Sequence, residues 1–453
     1  MSTLVKIKRT AKSWLKKRVF DLSDRRFCQS LNRRLEPLRA ARNGAALPPT
    51  YVVLAPSSLG NIGDEAMLTS TVRALRARGV ERIVMLSMSL EDRFDAIDPH
   101  LDVVPLPHLL RPTGWGPALD RLDAVLRRST HFVVIGADIL DGGYFVSSSV
   151  RRLRLAELAA RAGLHTALIG FSFKGDGDPA PRAALAAVSP HAVLCPRDPA
   201  SYERVRGFVS GPAHLGADLA FMLQPATELG AAAQVAMDWI EAERAAGRTV
   251  LGYNANPLGA GMALGATGSD AVPELDAEAA LLAQALERLL AKPEPVSFLF
   301  VAHDYRKHNN DVRFLRAVHA ALSPAAQARV HLALADLRAP EVKALCQHLD
   351  FVVSGRMHFG IAALGAGTPC MFLDYMGKVQ GLLGHFGMPE LGFTMTDVAD
   401  PTAFADLIAR ELAARDTHRA RIAAALPRIK ALSALNIDLA TGAGQEVADS
   451  AAC

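Results

Sequence analysis

Apolar positions along the chain form short runs of buried type, separated by stretches with helical spacing. "YVVLAP" reads as a buried strand, and a helix follows from about Asp64 to Arg78, stopped by Gly79. Strands are then expected in "RIVMLSM", "HFVVIGADIL", "TALIGFSF", "AVLCPRD" and "AHLGADLAFML", with helices in "VRRLRLAELAARAG" and "PASYERVRG". "QPATELGAAAQVAMDWIEAERAAGR" reads as a crossing region. A second alternation begins after it: strands in "TVLGYNA", "SFLFVAHDY", "VHLALA", "FVVS" and "CMFLDY", with amphipathic helices between them. A helical C-terminal stretch and a small-residue tail, expected to be flexible, complete the chain.

Short apolar runs alternating with helices specify parallel, doubly wound sheets, so the fold class is α/β with two Rossmann-like domains facing a cleft. The boundaries expected are a basic N-terminal arm and linker over 1–48, an N-terminal domain over 49–225, a C-terminal domain over 226–395, and helices with the tail over 396–453. The length of 453 residues accommodates that number of cores.

Charge changes the picture at one place. Residues 1–42 hold thirteen Lys or Arg against Asp21, Asp24 and Glu36, a balance of 13 − 3 = +10, whereas the whole chain carries +4 and the remainder therefore 4 − 10 = −6. Within the arm, Leu4, Ile7, Ala11, Trp14 and Leu15 recur at helical spacing among Lys6, Lys12, Lys16 and Lys17. Two readings are open: a helix lying on an anionic membrane surface, or an arm that is solvated or packed on its own protein. A nucleic-acid partner is not expected, because the mildly acidic body offers neither a basic face nor a binding motif. The five cysteines are scattered and lack CxxC spacing, which excludes a disulfide framework or zinc site and points to a reducing compartment. With no membrane-length apolar run and no leader pattern, the expected location is cytoplasmic, with peripheral attachment to the inner membrane face if the arm binds lipid.

Ligands of such folds sit at the carboxyl ends of strands, so residues just after strands are the candidates for chemistry. In "APSSLGNIGDEAML" the glycines permit a tight turn and Asp64 and Glu65 open a helix; an anion or polar ligand, or simple capping, fits. In "IGADILDGGYF", Asp138 and Asp141 beside paired glycines suit sugar hydroxyls, a metal or an ordinary turn. Arg197 in "CPRDPAS" either pairs with Asp198 or reaches out as an anion fork. "VAHDYRKHNND" crowds His303, Asp304, Arg306, Lys307 and His308 at a strand end without metal-ligand spacing; a site or an ordinary polar surface loop fits. In "SGRMHFGIAALGAGTPCMFLDYMGK", Arg356 and His358 open an apolar helix and Lys378 follows the next strand; three cationic groups at successive strand ends suit a small, multiply charged anion.

"GNIGDEAML", "PRDPAS" and the last of these stretches, in that order and spacing, resemble the polysaccharide pyruvyltransferase family over about residues 51–390. The resemblance implies a GT-B-like fold and transfer of a pyruvyl group from phosphoenolpyruvate to sugar hydroxyls of a cell-surface polysaccharide or its lipid-linked precursor. It implies His358, Arg356 and Asp64 as catalytic, and Arg197, Arg356 and Lys378 as donor-binding. The acceptor side falls to the N-terminal domain, with Asn61, Gly63, Glu65 and Asp138. "GADILDGGY" departs from the family's glycine run, which assigns Asp138 to the acceptor. No metal and no resident cofactor are expected, phosphoenolpyruvate being a co-substrate. Two other classes compete: a nucleotide-sugar glycosyltransferase of the same architecture, and a non-catalytic membrane-associated binding protein. The first would present an acid where this chain has Arg356 and His358.

Overall fold

The computed structural model describes residues 3–57, 59–175, 177–256, 275–306, 311–335, 337–374 and 377–443, with side chains from residue 20 onward except at 275. Lys307, His308, the side chains of the first nineteen residues and the tail beyond 443 lie outside the described residues.

The strands, numbered along the chain, are β1 Thr50–Leu54, β2 Arg82–Ser87, β3 Asp102–Pro105, β4 His131–Ala137, β5 His165–Phe171, β6 Val193–Pro196, β7 Thr249–Asn254, β8 Val296–Val301, β9 Val330–Ala333, β10 Phe351–Ser354, β11 Cys370–Leu373 and β12 Gly392–Phe393. Among the described residues, the helices of eight or more residues are α1 Thr3–Arg42, α2 Ile62–Ala77, α3 Gly116–Leu126, α4 Val146–Arg161, α5 Pro179–Val188, α6 Pro199–Arg206, α7 Ala231–Ala245, α8 Leu275–Leu290, α9 Asp311–Ala320, α10 Ala339–Cys346, α11 Met357–Ala366, α12 Val379–Phe386, α13 Pro401–Ala413 and α14 Arg415–Thr441.

Two parallel six-stranded sheets result, ordered β3-β2-β1-β4-β5-β6 and β12-β11-β10-β7-β8-β9. Counted from its own first strand, each sheet has the doubly wound 3-2-1-4-5-6 order, which places a topological switch point between β1 and β4 in one and between β7 and β10 in the other. The central strands are buried on both faces and read as continuous apolar runs, the reason they were legible.

The compact units depart from the linear division expected. One comprises Met1–Ser58, Thr71–Asp218 and Ala434–Cys453; the other comprises Leu59–Ser70 and Leu219–Ser433. Leu59–Ser70 follows a strand of the first unit but belongs to the second because its backbone is tied there: Tyr305 N donates to Gly60 O (2.8 Å) and Ile62 N to His303 O (3.0 Å). The end of α14 returns to the first unit, where Asn436 accepts from Gly170 N and donates to Ala217 O, both at 2.9 Å. "AHLGADLAFML" is not a strand: it makes one isolated bridge, Leu194 to Ala213, and ends in the 3₁₀ turn Leu219–Met222. The short edge strand β3 and the helices α3 and α5 add to the pattern read from sequence.

The arm's second half is part of the first unit's core. Phe27, Leu31, Leu35 and Leu38 of α1 are buried among α3 and α4. Arg42 donates to the carbonyls of Leu126 (3.0 Å), Ala162 (3.2 Å) and Ser129, satisfying helix-end acceptors of α3 and α4. Of the two readings of the arm, packing on its own protein holds for this half.

Candidate functional site

The switch point of the second unit lies between β7 and β10, and the polypeptide is drawn tight there. Gly355 N donates to Asn254 O (2.8 Å), and a Cβ at Gly355 would stand 2.7 Å from Asn256 N, so a side chain would force the strand ends apart. Arg356 follows in extended conformation as the N-cap residue of α11, and His358 occupies that helix's first turn. The fold thus sets an imidazole at the positive end of a helix, beside the carboxyl ends of two central strands.

Arg356 is buried, and its guanidinium is gripped by a carboxylate that the sequence reading passed over. Nε and Nη2 donate to Asp311 Oδ1 at 3.1 and 2.7 Å. Nη1 lies 3.6 Å from Asp304 Oδ2. Asp311, fully buried at the start of α9, also accepts from Asn254 Nδ2 and from the backbone N–H groups of His303 and Asp304, at 3.1–3.2 Å. Burial pushes its carboxyl up, against the opposing pull of Arg356 and Asn254.

Asp304 links this pair outward. Its carboxylate accepts from Arg306 Nε (2.9 Å) and Nη2 (2.6 Å) and from Asn61 Nδ2 (3.1 Å). Arg306 in turn stands 3.8 Å from Asp64. Burial works against the Arg306 charge, but hydrogen bonding and attraction from Asp304 and attraction from Asp64 prevail and raise its pKa. The loop at 303–306 is therefore not a polar surface loop: Asp304 has no exposed surface and His303 is buried. Burial first, then the charges of His358 and Arg356, push His303 well below the ordinary histidine range and keep it neutral.

Asn61 caps α2, its Oδ1 accepting from Gly63 N (2.8 Å) and Asp64 N (3.1 Å). A Cβ at Gly63 would stand 2.4 Å from His358 Nδ1, so glycine at this position lets the α2 turn close directly on the imidazole. Glu65 faces elsewhere, accepting from Arg338 Nε (2.8 Å) and Ala339 N (3.2 Å) and so tying α2 to the start of α10. Asn61, Gly63, Asp64, Glu65, Arg356, His358 and Lys378 thus all belong to the second unit. The first four had been expected on the N-terminal side. Lys378 is the N-cap residue of α12, just beyond β11, and is half-buried.

Two expected residues lie in the first unit. Arg197 is buried, with Nη1 on Asp218 (2.7 Å) and Nε on Ser172 Oγ (2.9 Å). Asp138, half-buried after β4, accepts from Tyr144 Oη (2.9 Å) and follows Ala137, whose φ of 46° is left-handed. Arg197 and Arg356 are thus both paired with carboxylates; of the two readings of Arg197, pairing is seen, with Asp218 in the place expected for Asp198. The physical reason is burial: an unpaired guanidinium in such surroundings costs several kcal/mol.

Asp311 and Asn254 were the residues missed. Asn254 closes a strand and Asp311 opens a helix after a polar loop, patterns that capping alone explains; only their convergence marks them. Among the described residues, no group of three or more His, Cys, Asp or Glu is arranged to hold a metal, and no helix is long and apolar enough to cross a membrane.

Residues 61–376 match the family model of the polysaccharide pyruvyl transferases. No curated protein matches the chain in sequence. Among solved structures it is similar to UDP-GlcNAc 2-epimerase from Neisseria meningitidis (10% identity, 86% of this chain and 99% of that one, TM-score 0.53). It is similar also to α,α-trehalose 6-phosphate synthase from Burkholderia multivorans (12% identity, 89% and 100%, TM-score 0.54) and to a transferase from Siraitia grosvenorii in complex with UDP (10% identity, 86% and 100%, TM-score 0.54). At such identity the likeness shows the fold alone, which is GT-B-like.

Proposed function

The chain belongs to the polysaccharide pyruvyl transferase family, and on that premise we propose that it transfers the pyruvyl group of phosphoenolpyruvate to two hydroxyls of a glycan, forming a cyclic ketal and releasing phosphate. The observation that carries this reading is the closure of the α2 turn on His358, which unites both ends of the family match around one imidazole in the second unit.

In the proposed reaction a general acid adds a proton to the methylene carbon of the donor, leaving a cation-like centre at the carbon that bears phosphate. One sugar hydroxyl adds there and gives up its proton. Phosphate then leaves with its bonding electron pair, the second hydroxyl adds to the same carbon, and its proton is lost. Two protons come off the hydroxyls; one balances the proton given to the methylene and one accompanies phosphate. His358 is the acid in this reading, because an imidazole nitrogen can give and recover a proton.

Arg356 serves the donor in this reading, with Lys378, Arg197 and Arg306 as further donor-binding charges. Asp64 acts as base or orienter for the hydroxyls, while Asn61, Gly63, Glu65 and Asp138 shape the acceptor side. The reaction so written uses no resident metal or cofactor. The acceptor is a polysaccharide or its lipid-linked precursor, met at the inner face of the membrane.

The test is phosphate release from phosphoenolpyruvate over a panel of synthetic and lipid-linked glycans, with mass analysis of the acceptor. Release coupled to an added pyruvyl group, and lost in His358→Ala and Arg356→Ala, is the expected result. No transfer to any acceptor, with thermal stabilisation by a nucleotide sugar and none by phosphoenolpyruvate, would replace this reading by a glycosyltransferase.

A further inference from the structure

Where α1 meets the loop before α3, an apolar groove of about 530 Å³ opens between Leu22, Ser23 and Arg26 on one side and Pro112, Thr113 and Trp115 on the other. The groove is built rather than incidental. Arg151, buried on α4, donates to the carbonyls of Leu109, Arg111 and Pro112 and to Ser23 Oγ, and Ser23 Oγ donates to Pro112 O. Trp115 packs edge-on against Phe27, with ring centroids 5.1 Å apart. Leu22, by contrast, is 58% exposed at the rim, with exposed Arg25 and Arg26 beside it.

The register of α1 gives that exposed leucine a context. Leu22 follows Leu4 by eighteen residues, or five turns at about 3.6 residues each, so the positions of Leu4, Ile7, Ala11, Leu15 and Leu22 share one helix face. Lys6, Arg9, Lys16 and Lys17 occupy positions on the other side. Arg18 interrupts the stripe. An apolar stripe that runs into an apolar groove, on residues 1–26 carrying 9 − 2 = +7, matches an anionic bilayer in both polarity and charge.

We infer that the Leu22–Trp115 groove and the α1 stripe form one docking surface for an anionic phospholipid bilayer, the groove taking the upper part of an acyl chain. This deepens the membrane part of the function proposed above and is independent of the transfer chemistry. The apolar face supplies depth, and the lysines and arginines supply selection for negative headgroups.

The test uses the full chain with vesicles of phosphatidylglycerol and phosphatidylcholine in equal parts, against phosphatidylcholine alone. The wild type is expected to co-sediment with the first and not the second. Leu22→Glu should weaken binding about tenfold or more while leaving the melting temperature and transfer to a lipid-free glycan unchanged. In a Trp14→Phe, Trp239→Phe variant, which retains Trp115 alone, lipids brominated on the chain should quench the emission. Equal binding to both vesicle types, undiminished binding by Leu22→Glu, or binding without quenching would each overturn the inference. A dead enzyme that still binds vesicles through Leu22 would count against the reaction and leave the docking surface standing.

Discussion

Gly63, Asp311 and His358 show what single side chains contribute. A methyl group at 63 would collide with the imidazole 2.4 Å away, so Gly63→Ala should lower kcat for transfer while the far-ultraviolet circular dichroism stays native. His358→Ala should cost roughly 10²–10⁴ in kcat, the range for a lost acid or base. Asp311 acts differently. Removing it leaves Arg356 buried without its main partner, so Asp311→Ala should destabilise the fold by about 3–5 kcal/mol, measured by urea unfolding, and an isosteric Asp311→Leu, Arg356→Met pair should recover part of it. Sequence reading singled out Arg356 and His358 because cationic residues just after strands are conspicuous. It passed over Asp311 because carboxylates routinely open helices, and the charge pairing that distinguishes this one depends on contacts across 45 residues.

Among the elements, α1 is the clearest case of one helix with two parts. Burial of Phe27, Leu31, Leu35 and Leu38 contributes roughly 6–12 kcal/mol at about 1.5–3 kcal/mol per side chain, an upper figure since unfolded chains bury some of that surface already. Deletion of residues 1–19 should therefore leave the melting temperature within about 3 °C of the wild type, whereas deletion of 1–45 should give an unfolded or aggregated chain. Strands buried on both faces, such as β1, β4, β7 and β10, were legible as apolar runs; "AHLGADLAFML" had the same composition but its chain turns into 3₁₀ geometry at Leu219–Met222. Edge strand β3 was hidden because two of its four residues are exposed and it is too short to show a period.

For the molecule as a whole, stability against pH offers a test that does not depend on the reaction. Lys343, buried on α10 with Phe221 O at 3.4 Å, is pushed down to about 8 by burial and then by the charge of Lys430. The unfolded chain binds this proton more tightly than the folded one, so stability should rise as pH increases from about 8 to about 10.5 and lie flat below 8. The slope should vanish in Lys343→Met, and that variant should be more stable at pH 7, both readable from urea midpoints. The doubly wound pattern of both sheets was legible from strand–helix alternation, but the compact units were not, because backbone hydrogen bonds at Gly60 and Ile62 decide that Leu59–Ser70 belongs with a sheet whose strands begin nearly two hundred residues later.

The central claim is protonation of phosphoenolpyruvate and addition of glycan hydroxyls to its second carbon. The most direct measurement is mass and proton magnetic resonance analysis of a glycan incubated with the enzyme and phosphoenolpyruvate in D₂O. The proposed reaction gives a glycan carrying one pyruvate ketal whose methyl group holds a single solvent deuterium, formed roughly 10²–10⁴ more slowly by His358→Ala. An unmodified glycan, or one that has gained pyruvate with no deuterium in its methyl group, would contradict it.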